Sequence, residues 1–179
     1  IVSGPDMFGR TGDINDSIKS PTAVFALDYK KLSLTGQWSE SRMGNNFGLT
    51  GALPPAEEEN RHRNTFRMLE ARFSPDISTH LTSEIKFGWR EYIWDSGDFW
   101  LFPAGVITPY DSIGASYYEE QAYYGGLLLH WTGWQKQHWL IGTEYEDTRM
   151  KDVWVKYNYD PITYEPLPYQ TFTGGKNWM

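Results

Sequence analysis

Thr79-His80-Leu81-Thr82-Ser83-Glu84-Ile85-Lys86-Phe87-Gly88-Trp89-Arg90-Glu91-Tyr92-Ile93-Trp94 is the stretch that decides the fold class. Its odd positions include Leu81, Ile85, Phe87, Trp89 and Ile93, and its even positions include His80, Thr82, Glu84, Lys86 and Arg90. Successive side chains of a strand point to opposite faces, so one face is oily and the other carries charge. Such a strand lies between two different media. Sixteen residues at about 3.3 Å each span roughly 50 Å, far beyond the usual five or six residues.

The same alternation recurs on both sides. In Leu32 to Ser41, Leu32, Leu34 and Trp38 oppose Ser33, Thr35, Gln37, Ser39 and Ser41. Leu69, Ala71 and Phe73 oppose Glu70 and Arg72 within Asn64 to Phe73. Tyr123, Leu127, Leu129 and Trp131 share a face of Tyr117 to Trp131, and Trp139, Ile141 and Tyr145 share one of Gln137 to Arg149. With the short apolar run Thr22 to Leu27, about six strands are expected. Helical periodicity is scarce, and its best candidate, Glu57 to Met68, lacks an apolar stripe.

The expected connections differ in length by side. Asp28 to Lys31, Ser74 to Ser78 and Thr132 to Lys136 are short and turn-rich. Arg42 to Arg63 and Asp95 to Ser116 are long, and compact domains seldom carry such loops. Short turns on one side and long loops on the other characterise outer-membrane barrels. Rings at expected strand ends, Tyr92, Trp94, Tyr117, Tyr118, Trp131 and Trp134, suit the aromatic girdles of such barrels. The expectation is an all-β chain of long antiparallel hairpins of an outer-membrane-type barrel, one segment over residues 1–179 with loop-like ends at 1–21 and 150–179.

Composition closes off other classes. Aromatics make up 17% of the 179 residues, yet the mean hydropathy is hydrophilic. Alternation reconciles the two, because any window averages an oily face with a wet one. No run approaches the roughly 20 apolar residues of a membrane-spanning helix. The absence of cysteine excludes a disulfide-stapled scaffold. Sixteen basic against 23 acidic residues give a net charge of −7, which is no footprint for nucleic acid.

Several stretches resemble the barrel of TonB-dependent outer-membrane receptors. Asp28 to Gly36 is similar to a periplasmic turn and the strand after it, followed by the polar Ser39 to Gly44. Asn64 to Trp89, with Arg72-Phe73-Ser74-Pro75-Asp76 at its turn, resembles the next hairpin. His138-Trp139-Leu140-Ile141-Gly142-Thr143-Glu144-Tyr145-Glu146 resembles a recurring strand with a glycine and an inward glutamate. The resemblance covers residues 20–150. It implies location in the bacterial outer membrane, uptake of an iron chelate or similar nutrient, and energy delivered by TonB through a plug domain. No plug, TonB box or terminal aromatic strand is seen, so the expectation is an interior fragment that self-associates when isolated.

The resemblance implies that long loops capture the ligand, with Phe99, Trp100 and Phe102 stacking on it and Arg42, Arg61, His62, Arg63 and Arg67 meeting an anion. A plainer reading, favoured for the rings, packs them against the sheet. Glu84, Lys86, Arg90, Glu144 and Glu146 would line the lumen, or form the wet face of a soluble sheet. His62, His80, His130 and His138 make a poor zinc set, so no metal, cofactor or catalytic residue is expected, and the chain is expected to be no enzyme. Glu57-Glu58-Glu59 is read as a solvated run, and Thr173 to Lys176 is too short for a phosphate loop. Two alternatives stay open. Gly36-Gln37-Trp38 resembles the Gly-x-Trp motif of lipocalins, and a complete eight-stranded outer-membrane barrel is the other.

Overall fold

The computed structural model describes residues 5–14, 16–44, 50–53, 61–133 and 137–173. It is all β, without a helix among the described residues. The strands are β1 (Ile18–Lys19), β2 (Thr22–Tyr29), β3 (Leu32–Gly44), β4 (Arg61–Phe73), β5 (Asp76–Ser78), β6 (Leu81–Phe102), β7 (Ser112–Trp131), β8 (Trp139–Tyr159) and β9 (Pro166–Thr173). They form one antiparallel sheet of nine strands in the order β1-β3-β4-β6-β7-β8-β9, with β2 also on β3 and β5 also on β6. Each strand touches only its ladder neighbours, so the sheet is a single layer that does not close into a barrel.

Two expectations are corrected by this ladder, while the strand expected over Asn64 to Phe73 starts earlier, at Arg61, and residues 54–60, including Glu57-Glu58-Glu59, lie outside the described set. The loop expected over Asp95 to Ser116 shrinks to residues 103–111, because β6 and β7 stay paired out to Phe102 and Ser112. The loop-like end at 150–179 instead continues β8 to Tyr159 and adds β9, and the end at 1–21 contains β1.

Bulges explain why these extensions were hard to see. The register shifts between Asp95 and Asp98, where Gly97 adopts φ 59° and the Ser116 N–H donates to Ser96 Oγ at 2.7 Å. One extra residue flips the phase of everything beyond it. Odd positions share the face of Phe87 before the bulge, whereas Asp98 and Trp100 do afterwards, opposite Ala115 and Ile113, until the register shifts again before Phe102. A shift between Glu119 and Glu120 does the same to β8.

Turns behave as their chemistry dictates. β2 and β3 are joined by Lys30 and Lys31 alone, with Lys30 at φ 55°, the positive φ that tight hairpins require. The link expected at Ser74 to Ser78 becomes Ser74-Pro75 followed by β5, and the tight turn falls at Thr79-His80. Trp134 and its neighbours 135–136 lie outside the described residues.

Enclosed side chains gather at the end of the sheet opposite these turns. There the segment 5–14 packs on residues 50–53 and on the tip of β6. The Asp6 carboxylate, fully enclosed, accepts N–H bonds from Phe8, Arg10 and Leu53 at 2.7 to 2.9 Å and pairs with the Arg10 guanidinium at 3.0 Å. Arg10 also donates to the Leu53 carbonyl and stacks 5.4 Å over Trp100. Burial alone would raise the Asp6 carboxyl, but the bonds from Leu53, Arg10 and Phe8 outweigh it and hold it at about 2. The unfolded value is about 3.9, so this contribution is complete above about pH 4 and is lost as the pH falls toward 2. We expect Asp6→Asn to speed hydrogen exchange at the Leu53 amide at neutral pH, relative to its intrinsic rate. The wild-type chain should loosen in this way only on acidification.

Candidate functional site

Cross-strand register sorts the side chains into two faces. One carries Phe25 and Leu27 on β2, Leu34 and Trp38 on β3, Leu69 and Phe73 on β4, Ile85, Phe87 and Trp89 on β6, Tyr123 and Leu127 on β7, and Ile141 and Tyr145 on β8. Nothing covers this band among the described residues, and Leu27, Phe87 and Ile141 are 62%, 61% and 63% exposed. From Leu81 to Trp89 it measures about 26 Å along the strand, or about 20 Å in projection at the 35–45° tilt of membrane barrels. Their apolar band is about 25 Å tall.

The band ends in a polar row. Arg67 pairs with Glu91 at 2.7 Å, Gln121 donates to Glu91 at 2.8 Å and to Glu119 at 3.2 Å, and the Tyr117 hydroxyl reaches Glu119 at 3.2 Å. Above it, Arg63 pairs with Asp95 at 2.9 Å and Tyr117 stacks on Trp154 at 5.4 Å.

Glycines organise the opposite face. Gly126 on β7 lies beneath the Lys86–Glu144 ion pair, which therefore joins β6 to β8 across the intervening strand. A Cβ at Gly126 would stand 2.9 Å from Lys86 Cε and 3.3 Å from Glu144 Cγ. Likewise the Tyr124 ring lies directly on Gly88, so its hydroxyl crosses β6 and donates to Glu70 on β4 at 2.9 Å. Arg90 pairs with Glu146, and Arg72 with Glu70 at 2.8 Å and Glu84 at 3.5 Å. The five residues expected to share one face, Glu84, Lys86, Arg90, Glu144 and Glu146, do share it.

Above that ionic lattice sits an open hollow of about 300 Å³ lined by Phe66, Met68, Arg90, Tyr92, Glu120 and Tyr124. Rings continue outward from it. Tyr118 lies 5.6 Å from Tyr92 and stacks at 5.8 Å on Trp94. The Tyr92 hydroxyl donates to Asn64 at 3.2 Å. Ring faces beside an arginine and a carboxylate suit non-covalent binding of a flat or ring-bearing solute. Three of these rings, Tyr92, Trp94 and Tyr118, were expected in an interfacial girdle. Their even numbers place them opposite the apolar band, in mid-strand, because β6 continues to Phe102 and β7 begins at Ser112. That same parity was the signal available in the sequence.

The other expected ligand residues separate. Arg42, Arg61, Arg63 and Arg67 belong to the apolar-band face, beyond or at its rim, while His62 points to the hollow's face. Phe99, Trp100 and Phe102 belong to β6 and not to a loop. Phe99 is buried, 3.1 Å from where a Gly114 Cβ would be, and Trp100 carries Arg10. These two rings pack the tip of the sheet. His130 and His138 stack at 5.9 Å, and no group of three or more His, Asp or Glu suited to a metal occurs among the described residues. Among the described residues no helix is long and apolar enough to cross a membrane, a criterion silent on strands.

Comparison of the chain with protein-family models, curated proteins and solved structures produced no match.

Proposed function

We propose that this sheet is a section of the wall of an outer-membrane β-barrel, of the kind found in TonB-dependent receptors, serving uptake of an iron chelate or similar nutrient. The observation that carries the reading is the uncovered apolar band across neighbouring strands, backed by a face of strand-spanning ion pairs. A soluble sheet with one such face buries it against a second layer. Bilayer hydrocarbon replaces that layer here. In lipid the N–H and C=O groups along the outer edges of β2 and β9 need partners, so further strands or further copies of this chain complete the ring.

On this reading Glu84, Lys86, Arg90, Glu144 and Glu146 line the lumen, the hollow at Phe66 and Tyr92 contacts the solute, and TonB acts through a plug domain. The receptor type rests on the sequence resemblance, the barrel wall on the two faces. Deletion of the reading frame should abolish growth on at least one chelated iron source. Restoring it with Phe66→Ala and Tyr92→Ala together should return normal amounts of protein to the outer membrane but lower uptake about tenfold or more, the loss of two stacking contacts. Undiminished uptake of every chelate by the deletion strain would contradict the transport role.

A further inference from the structure

Beyond the polar row, three cations stand in one register line on adjacent strands. Lys19 on β1 opposes Arg42 on β3, and Arg42 opposes Arg63 on β4. All three share the face of Trp38 and Leu69. Like charges directly opposite one another destabilise a sheet, and with strands about 4.8 Å apart the three lie within roughly 10 Å. The nearby carboxylates do not cancel this field outwardly. Glu40 pairs with Arg42 and Asp95 with Arg63, but the glutamate and aspartate side chains are 13% and 29% exposed against 48% and 44% for the arginines. The guanidinium is thus the more exposed partner of each pair.

We propose that Lys19, Arg42 and Arg63 form a docking surface for net-anionic, phosphate-bearing lipid headgroups. The inference rests on the barrel-wall reading, which supplies the bilayer, and adds a partner to it. Arg42 lies four positions beyond Trp38, about 13 Å along the strand and about 10 Å in projection at barrel tilt. The headgroup layer is about 5–8 Å deep on each side, and an arginine side chain reaches back over the difference. Guanidinium groups take phosphate oxygens in paired hydrogen bonds. A phosphate placed over the line would turn a repulsive row into an attractive one, which accounts for the cost of building it.

The test uses the full chain refolded from urea into vesicles, either of phosphatidylcholine alone or of equal parts phosphatidylcholine and phosphatidylglycerol. Wild type should insert into both and prefer the anionic ones. Each cation near an anionic surface is worth about 1 kcal/mol, a factor of about five. The triple variant Lys19→Gln, Arg42→Gln, Arg63→Gln should therefore lose on the order of 100-fold in preference for anionic vesicles. It should keep its insertion into phosphatidylcholine, because relief of the repulsive line offsets the loss of the Arg42–Glu40 and Arg63–Asp95 pairs. A preference unchanged in the triple variant overturns the headgroup surface and leaves the barrel wall standing. Failure of wild type to insert into either vesicle overturns the barrel wall and the surface with it. Inorganic phosphate is the remaining arm. If the triple substitution abolishes binding of inorganic phosphate to the protein inserted in phosphatidylcholine yet leaves the anionic preference intact, the site takes free phosphate and the lipid assignment is overturned.

Discussion

Phe87→Arg should lower the fraction of chain assembled in lipid vesicles by about 30-fold or more, while Thr82→Arg on the other face leaves it nearly unchanged. Phe87 lies in mid-band with Ala71 and Gly125 as its cross-strand neighbours, and its ring is 61% exposed. An arginine at the lipid face of a barrel costs about 2–4 kcal/mol at the midplane, and 1.4 kcal/mol is a factor of ten. For a sheet standing in water the same change has the opposite sign, because it replaces an exposed ring by a charge and improves solubility. Thr82 shares the face of Lys86 and Arg90, where an added cation meets water. Assembly can be read as resistance to protease in vesicles. Equal assembly of Phe87→Arg and wild type would count against the band as a lipid surface.

The second large effect is expected at Gly88. Its missing Cβ is where the Tyr124 ring lies, and the ring's hydroxyl continues to Glu70. In Gly88→Val the β-branched side chain takes that space, so Tyr124 must leave and the link from β7 to β4 is lost. Overpacking costs about 1–3 kcal/mol, and an abandoned hydrogen bond to a carboxylate about 1.5–3. We therefore expect a loss of stability of about 3–5 kcal/mol for Gly88→Val, but only about 1.5–3 for Tyr124→Phe, which keeps the ring on the glycine. Urea unfolding in vesicles or detergent separates the two. Comparable losses in both variants would show that ring packing on Gly88 adds nothing. The same pairing of a strand glycine with a directly opposite ring occurs at Gly36 with Phe25 and at Gly114 with Phe99 and Tyr157.

How far the sequence could be read follows from the period of two. Between Leu81 and Trp94 no bulge intervenes, so parity alone assigns each side chain to its face, and Glu84, Lys86 and Arg90 were placed together on that basis. Past Asp95 the phase flips, and Phe99-Trp100-Leu101-Phe102 then looks like an oily loop although it is paired to β7. Glu57 to Met68 offered no apolar stripe for a helix, and from Arg61 onward ladder pairing to β3 and β6 makes it strand.

The candidate site was only half legible. The ion pairs join strands that are not adjacent, Lys86 to Glu144 and Arg90 to Glu146, and sequence parity cannot reveal a partner two strands away. The glycines that permit those reaches, Gly88 and Gly126, read as weak points of a strand until their neighbours are known. Rings at even positions, Tyr92 and Trp94, were visible as exceptions to the wet face, yet an assumed strand end at Trp94 moved them to an interface.

The central claim is that the two faces of this sheet meet two different media. The chain contains no cysteine, so single cysteines can be introduced one at a time from Thr82 to Trp89 and spin-labelled in the vesicle-inserted protein. Collision rates with oxygen, which dissolves in lipid, and with a water-soluble nickel chelate report the medium at each label. The account predicts oxygen maxima at 85, 87 and 89 and nickel maxima at 82, 84 and 86, with Gly88 left unlabelled because a side chain there would displace Tyr124. Nickel access that is equal at odd and even positions, or greater at Ile85, Phe87 and Trp89, would contradict it.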